Sequence, residues 1–224
     1  MSKKLLKVKP IVIYGNEGPV VAELVIVAKE LSLPYELQPI TNPAEPEPPF
    51  RSLLMYDPNG ELHLRDSHAA VSYLVATYDD YLKISFRRDK DWFFISDQWH
   101  SIQVNLMAAT RVFTKLGALG NSEIAAFFTR EVSRGLAVLE DVLETNKHEN
   151  IYMDDGQTPV TNGPWVVGNK MSYADLAICS WIYYLNCTSP RPVCLRWANV
   201  SAWFERVLSR GEVRATFASL MPRP

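Results

Sequence analysis

The chain has 224 residues, 47% hydrophobic and 11% aromatic, and its 23 basic against 25 acidic side chains leave a formal charge of −2. That apolar content can bury a core in one large domain or two small ones and excludes disorder as the main state. A near-neutral balance excludes the electrostatic nucleic-acid binder and the anionic-membrane binder, both of which need a basic excess. No window approaches the roughly 18 apolar residues of a membrane span. Cys179, Cys187 and Cys194 are odd in number, lack C-x-x-C spacing and have no histidine nearby. They read as reduced thiols rather than as a disulfide framework or a zinc site, and no metal is expected. The basic start reaching Lys9 leads into an apolar stretch broken at Asn16-Glu17-Gly18-Pro19, so no signal peptide is expected and the location is predicted to be cytoplasmic.

In chain order, Ile11 to Tyr14 is a β-branched run ended by Gly15, a strand and its breaker. Pro19 suits the first turn of a helix whose apolar spacing runs from Val20 to Leu31, with Glu23, Lys29 and Glu30 as polar punctuation, and Pro34 stops it. Tyr35 to Ile40 predicts a second strand. Five prolines between Pro39 and Pro49 exclude a regular helix there. Leu53 to Tyr56, the turn Asp57-Pro58-Asn59-Gly60, and Glu61 to Leu64 predict a hairpin. Asp66 or Ser67 then caps an apolar helix from Ala69. After Tyr78 strand signals almost vanish. Residues 79–88 are charged and aperiodic, as in a linker, and helical patterns follow at about 89–116, 122–145, 172–186 and 200–209.

Gly168-Asn-Lys-Met-Ser172-Tyr-Ala-Asp175-Leu-Ala177 carries a capping box, with Ser172 accepting from the Asp175 amide, Asp175 reaching back to the Ser172 amide, and Met171 and Leu176 as the hydrophobic staple. This segment resembles the one that opens a core helix in the C-terminal domain of glutathione transferases. Trp197 to Arg206 resembles that family's closing "P-N-V-x-A-W-x-E-R", with Ala198 in place of proline. Gln98-Trp99 with Gln103 resembles the long helix of fungal members related to the yeast nitrogen regulator. Asp57 to Ala69 resembles the strand-turn-strand that leads into "E-S-x-A".

The resemblance implies an α+β thioredoxin-like N-terminal domain (β-α-β-β-β-α, residues 1–80), a linker at 81–88 and an all-helical C-terminal domain at 89–224. It implies a homodimer with glutathione as co-substrate or catalytic thiol. Asp66 and Ser67 match the pair that holds the γ-glutamyl end: a helix N-terminus takes the carboxylate and Asp66 the ammonium. Plain helix capping is the alternative for both. The family's cis-proline position falls on Leu53, Ser52 would offer the backbone contact, and Arg51 is the nearest cation for the glycyl carboxylate. A thiol of ordinary pKa is only about 3% ionised at pH 7, and full activation needs about 2.7 kcal/mol of differential stabilisation. The β1–α1 turn holds no Ser, Thr or Cys, so Tyr14 or Asn16 is the candidate activator, with Tyr14 alternatively a packed strand-end aromatic. Trp99, Gln103, Met107 and Arg111 share one helix face and are candidates for the electrophile pocket, or else core. His68 and His100 receive no role. Two functions stay open. One is an enzyme that conjugates glutathione to a hydrophobic electrophile, or isomerises one by reversible thiol addition, in fungal secondary metabolism. The other is a non-catalytic binding or regulatory module.

Overall fold

A computed structural model describes residues 8–40, 54–103, 122–148, 162–188 and 196–221. The β-branched run forms β1 (Ile11–Tyr14), whose alternation turns Ile11 and Ile13 fully inward. Gly15 follows with φ 149°, and a Cβ there would lie 2.4 Å from Val21 Cγ2, so the turn needs glycine. The chain then enters α1 (Pro19–Glu30) with proline in its first turn. Apolar residues surround α1 because it is covered on several sides: it packs against β1, α2 (Ser67–Tyr78), α5 (Tyr173–Thr188) and α7 (Gly211–Leu220). It crosses to β2 (Tyr35–Gln38), which pairs parallel with β1. The predicted strand to Ile40 therefore ends two residues early. β3 (Met55–Asp57) and β4 (Leu62–Leu64) complete a mixed sheet of order β2-β1-β3-β4, with β3 antiparallel to both neighbours.

The predicted hairpin turn is held by one side chain. Asp57 Oδ1 accepts from the Asn59 backbone N at 2.7 Å and from its Nδ2 at 2.8 Å, while Oδ2 accepts from the Tyr73 and Tyr78 hydroxyls at 2.6 and 2.5 Å. Burial pushes the Asp57 pKa up, but these donors outweigh it and hold the carboxyl below its ordinary value. The turn is thus tied to α2.

The charged segment after α2 is more ordered than a linker reading implies. The Asp79 carboxylate accepts from Lys83 N, Ile84 N and Ser85 Oγ, and Ile84 and Phe86 are buried. Ile84 O then accepts the Tyr173 amide at 2.8 Å. Helices α3 (91–103 within the described residues), α4 (Ser122–His148), α5 and α6 (Ala198–Leu208) follow the predicted pattern. Helix α7 does not appear in the sequence reading, because Ser209-Arg210-Gly211 reads as a stop. Its apolar stripe of Val213, Phe217 and Leu220 is nevertheless helical in spacing and buried.

Two polar fastenings hold the packing, one joining the early and late chain and one within the helical region. Glu30, near the end of α1, is buried and takes a two-pronged contact from Arg210 at 2.8 and 2.7 Å, with Lys83 Nζ at 3.3 Å. Burial pushes its pKa up; the Arg210 and Lys83 charges outweigh that and lower it. The capping box is the second. Asp175 Oδ2 accepts from Ser172 N and Ser172 Oγ at 2.8 and 3.0 Å, and Oδ1 from Val166 N and Trp203 Nε1 at 2.9 and 2.8 Å. The box differs from the sequence expectation in one bond: the Ser172 hydroxyl donates to the carboxylate. Met171 and Leu176 are buried as the staple predicts.

Candidate active site

One end of the sheet gathers four chain segments through backbone hydrogen bonds. Tyr14 N donates to Leu54 O at 2.9 Å and Leu54 N to Leu64 O at 3.0 Å, so the exit of β1, the start of β3 and the exit of β4 lie side by side. Gly15 N donates to Gln38 O at 3.0 Å and adds the exit of β2. Two residues beyond Leu64 stands Asp66, which caps α2 by accepting from Ala69 N at 2.9 Å. The structure thus brings Tyr14, Asn16, Asp66 and Ser67 to the same end of the sheet. Ser67 is buried and opens the helix, whose first amides point along the axis toward that end.

The two candidate activators differ in how they are used. Asn16 is committed to the backbone: Oδ1 accepts from Ile40 N at 3.1 Å and Nδ2 donates to Ile40 O at 3.3 Å, which fastens the β1–α1 turn to the chain beyond β2. Tyr14 is half-buried at the strand end, and Glu17 is exposed. Arg51, Ser52 and Leu53, named for the cysteinyl and glycyl contacts, lie outside the described residues, as do Met107 and Arg111.

Trp99 and Gln103 do share a face of α3, but that face turns toward other helices. They line a cavity of about 290 Å³ with Ile102, Leu136 and Leu139 of α4, and Ile178 and Trp181 of α5. Among its described lining residues none comes from before Trp99. Both amide atoms of Gln103 are buried without a hydrogen-bond partner among the described residues. The side of α3 facing the sheet end carries Asp97 and His100 instead. His68 Nε2 lies 2.9 Å from Asp97 Oδ1, and His100 Nε2 lies 2.8 Å from Oε1 of Glu23 on α1. The sequence reading assigned none of these four. The signal that could have found them was Glu23, an acid on the apolar helix α1. Among the described residues no three His, Cys, Asp or Glu side chains converge as a metal site, and no helix is long and apolar enough to cross a membrane.

Comparison with known proteins identifies the family and the fold. The family model for the glutathione S-transferase C-terminal domain matches residues 128–211. The chain is 30% identical to the glutathione S-transferase-like protein gedE of Aspergillus terreus, over 97% of this chain and 99% of that one. It is 29% identical to the glutathione S-transferase-like protein tpcF of Aspergillus fumigatus, over 96% and 98%. In fold it is similar to the glutathione transferase URE2P6 of Phanerochaete chrysosporium, solved in complex with oxidized glutathione, with a TM-score of 0.76 at 21% identity over 94% and 96% of the two chains. A thioredoxin-like sheet followed by a helical bundle is the glutathione transferase architecture. The chain belongs to the glutathione S-transferase family.

Proposed function

We propose that the protein is a glutathione-dependent enzyme acting on a hydrophobic electrophile, in fungal secondary metabolism and in the cytoplasm. The observation that carries this reading is that the capped end of α2 and the β1–α1 turn lie at the same end of the sheet. The γ-glutamyl carboxylate would take the first amides of α2 and the Ser67 hydroxyl, where backbone N–H groups and the helix dipole favour an anion. Asp66 Oδ1 already serves the cap, and its carboxylate as a whole would meet the ammonium. Ser52 and Leu53 would hold the cysteinyl backbone, and Arg51 the glycyl carboxylate. With Asn16 engaged on Ile40, Tyr14 is the better candidate to donate to the thiolate.

In conjugation the thiolate sulfur forms a bond to an electrophilic carbon; in substitution that carbon expels a leaving group with its bonding pair, and in addition to an activated alkene the π pair moves to the neighbouring carbon, which takes up a proton. In isomerisation the sulfur adds to an activated alkene, the former double bond rotates, and the same sulfur leaves. Of the four sequence candidates, Trp99 and Gln103 of α3 turn toward α4 and α5 and away from the sheet end, so the electrophile-binding role is proposed for Met107 and Arg111. The domains would divide at 1–80 and 89–224, with 81–88 between them. The homodimer would draw on the exposed apolar residues Phe94, Ile95 and Ile102 of α3 and Phe127 and Val138 of α4.

Incubation with reduced glutathione and an activated alkene, followed by mass spectrometry, tests the reading. A product heavier by one glutathione supports conjugation, an isomer of unchanged mass supports isomerisation, and neither at millimolar glutathione refutes both. A non-catalytic binding module is the second reading, favoured by the Asn16 side chain being spent on Ile40. Turnover that depends on Asp66 would rule it out.

A further inference from the structure

A cavity that the function proposed above leaves unused lies inside the helical region, between α3, α4 and α5. Trp99 and Gln103 meet Leu136 and Leu139 of α4 and Ile178 and Trp181 of α5 around a volume of about 290 Å³. None of these six is more than 8% exposed. Five of them are aliphatic or aromatic walls. The sixth, Gln103, is fully buried, and its amide oxygen and amide nitrogen both lack a hydrogen-bond partner among the described residues. Burying an amide in this way is costly. Holding α3 to α4 and α5 needs no amide at that position. Leucine or methionine, equally good in a helix, would pack against the same walls without the polar cost.

The rim narrows the class of ligand. Among the described lining residues the only ionisable ones are Glu131 and Arg134, and Arg134 Nη1 lies 2.8 Å from Glu131 Oε1. Paired with each other, they leave no counter-charge for an ionised ligand. Ile102 and Val138, both exposed, place the mouth at the surface of the chain. Both are also offered above to the homodimer. The six enclosing residues nevertheless come from one chain, so one ligand per chain is expected in monomer and dimer alike.

We propose that this cavity is a second ligand site, for a small, neutral, planar aromatic molecule that carries an N–H beside a carbonyl, as a cyclic amide does. Its volume lies at the small end of ligand pockets and suits a bicyclic ring system. The indoles of Trp99 and Trp181 and the aliphatic walls take the ring. The amide edge of Gln103 takes the polar side: Nε2 donates to the ligand carbonyl and Oε1 accepts from the ligand N–H. A carboxylate could use only the nitrogen and an ammonium only the oxygen, and each would bury an unmatched charge. Because no described lining residue comes from before Trp99, the site stands whether or not the sheet end takes glutathione.

Calorimetric titration of carbostyril, a bicyclic aromatic lactam, and of N-methylcarbostyril into the parent and Gln103→Met tests the assignment. The parent should take up one carbostyril per chain and bind the N-methyl compound at least about tenfold more weakly, since methylation removes the donor. In Gln103→Met the two compounds should bind within about twofold of each other. The free variant should also melt above the parent, because it buries no unpaired amide. Leu139→Phe, which fills part of the cavity from its wall, should weaken carbostyril at least about tenfold. Saturating reduced glutathione should leave the affinity within about twofold. Should Gln103→Met not fold, Leu139→Phe and the comparison of the two compounds in the parent carry the test. No saturable uptake by the parent at about 1 mM carbostyril, or equal affinity for both compounds, overturns the site. So do a tenfold preference that survives in Gln103→Met, a folded Met variant that melts below the parent, undiminished uptake by Leu139→Phe, and displacement by glutathione.

Discussion

Replacing Asp175 by alanine would remove the acceptor at the centre of the helical region. Its two oxygens take four donors: Val166 N, Ser172 N, Ser172 Oγ and Trp203 Nε1. The Ser172 hydroxyl can turn to another acceptor, but the other three donors are fixed on buried groups. Three orphaned donors at about 1–3 kcal/mol each cost about 3–9 kcal/mol, and relief of the carboxylate's own burial, which pushes its pKa up, brings the cost expected of Asp175→Ala to about 3–6 kcal/mol. That is a large part of the 5–15 kcal/mol that typically holds a protein of this kind together. Asp175→Asn keeps an oxygen for Val166 and Trp203 and sets an amide against the Ser172 N–H, so about 1–3 kcal/mol is expected. Urea unfolding followed by tryptophan fluorescence measures both, since Trp203 is itself a partner. An alanine variant within 1 kcal/mol of the parent, or an asparagine variant worse than alanine, would refute the reasoning.

The other predictions concern the fastenings. Arg210→Ala leaves buried Glu30 with Lys83 alone and should cost about 2–3 kcal/mol in chemical denaturation, less than a fully buried pair because Arg210 is partly exposed. Tyr73→Phe removes one of the donors on Asp57 and should cost about 1–2 kcal/mol at neutral pH. Because the folded Asp57 pKa is depressed, its stabilisation is present above the unfolded value near 4 and is lost as pH falls through the folded one. The Phe variant should therefore lose less stability than the parent on acidification. Gly15→Ala should lower stability by about 2–3 kcal/mol, through its positive φ and the 2.4 Å approach to Val21, measured as a fall in melting temperature.

Local signals carried much of the fold. The β-branched run of β1, proline at the start of α1, the Asp57-Pro-Asn-Gly turn and the Ser172–Asp175 box each describe a structure that few neighbours can override. Helix α7 escaped because Ser209-Arg210-Gly211 reads as an ending, and only packing against α1 shows that the chain resumes a helix. Residues 79–88 read as a linker because their charges are visible and the folding of Lys83, Ile84 and Ser85 onto Asp79 is not. The site was legible only in part. Asp66 and Ser67 announced themselves as a cap, whereas the direction each face of α3 takes is set by tertiary packing. Trp99 and Gln103 therefore turn to α4 and α5, and Asp97 and His100, given no role on sequence grounds, turn toward α1 and α2.

Calorimetric titration of reduced glutathione into the parent protein and Asp66→Asn tests the central claim most directly. Asparagine still caps α2 but cannot pair its charge with the ammonium. The account predicts one saturable site per chain in the parent and an affinity at least about tenfold lower in the variant. No uptake at millimolar glutathione by folded parent protein, or equal affinity in the two, would contradict it.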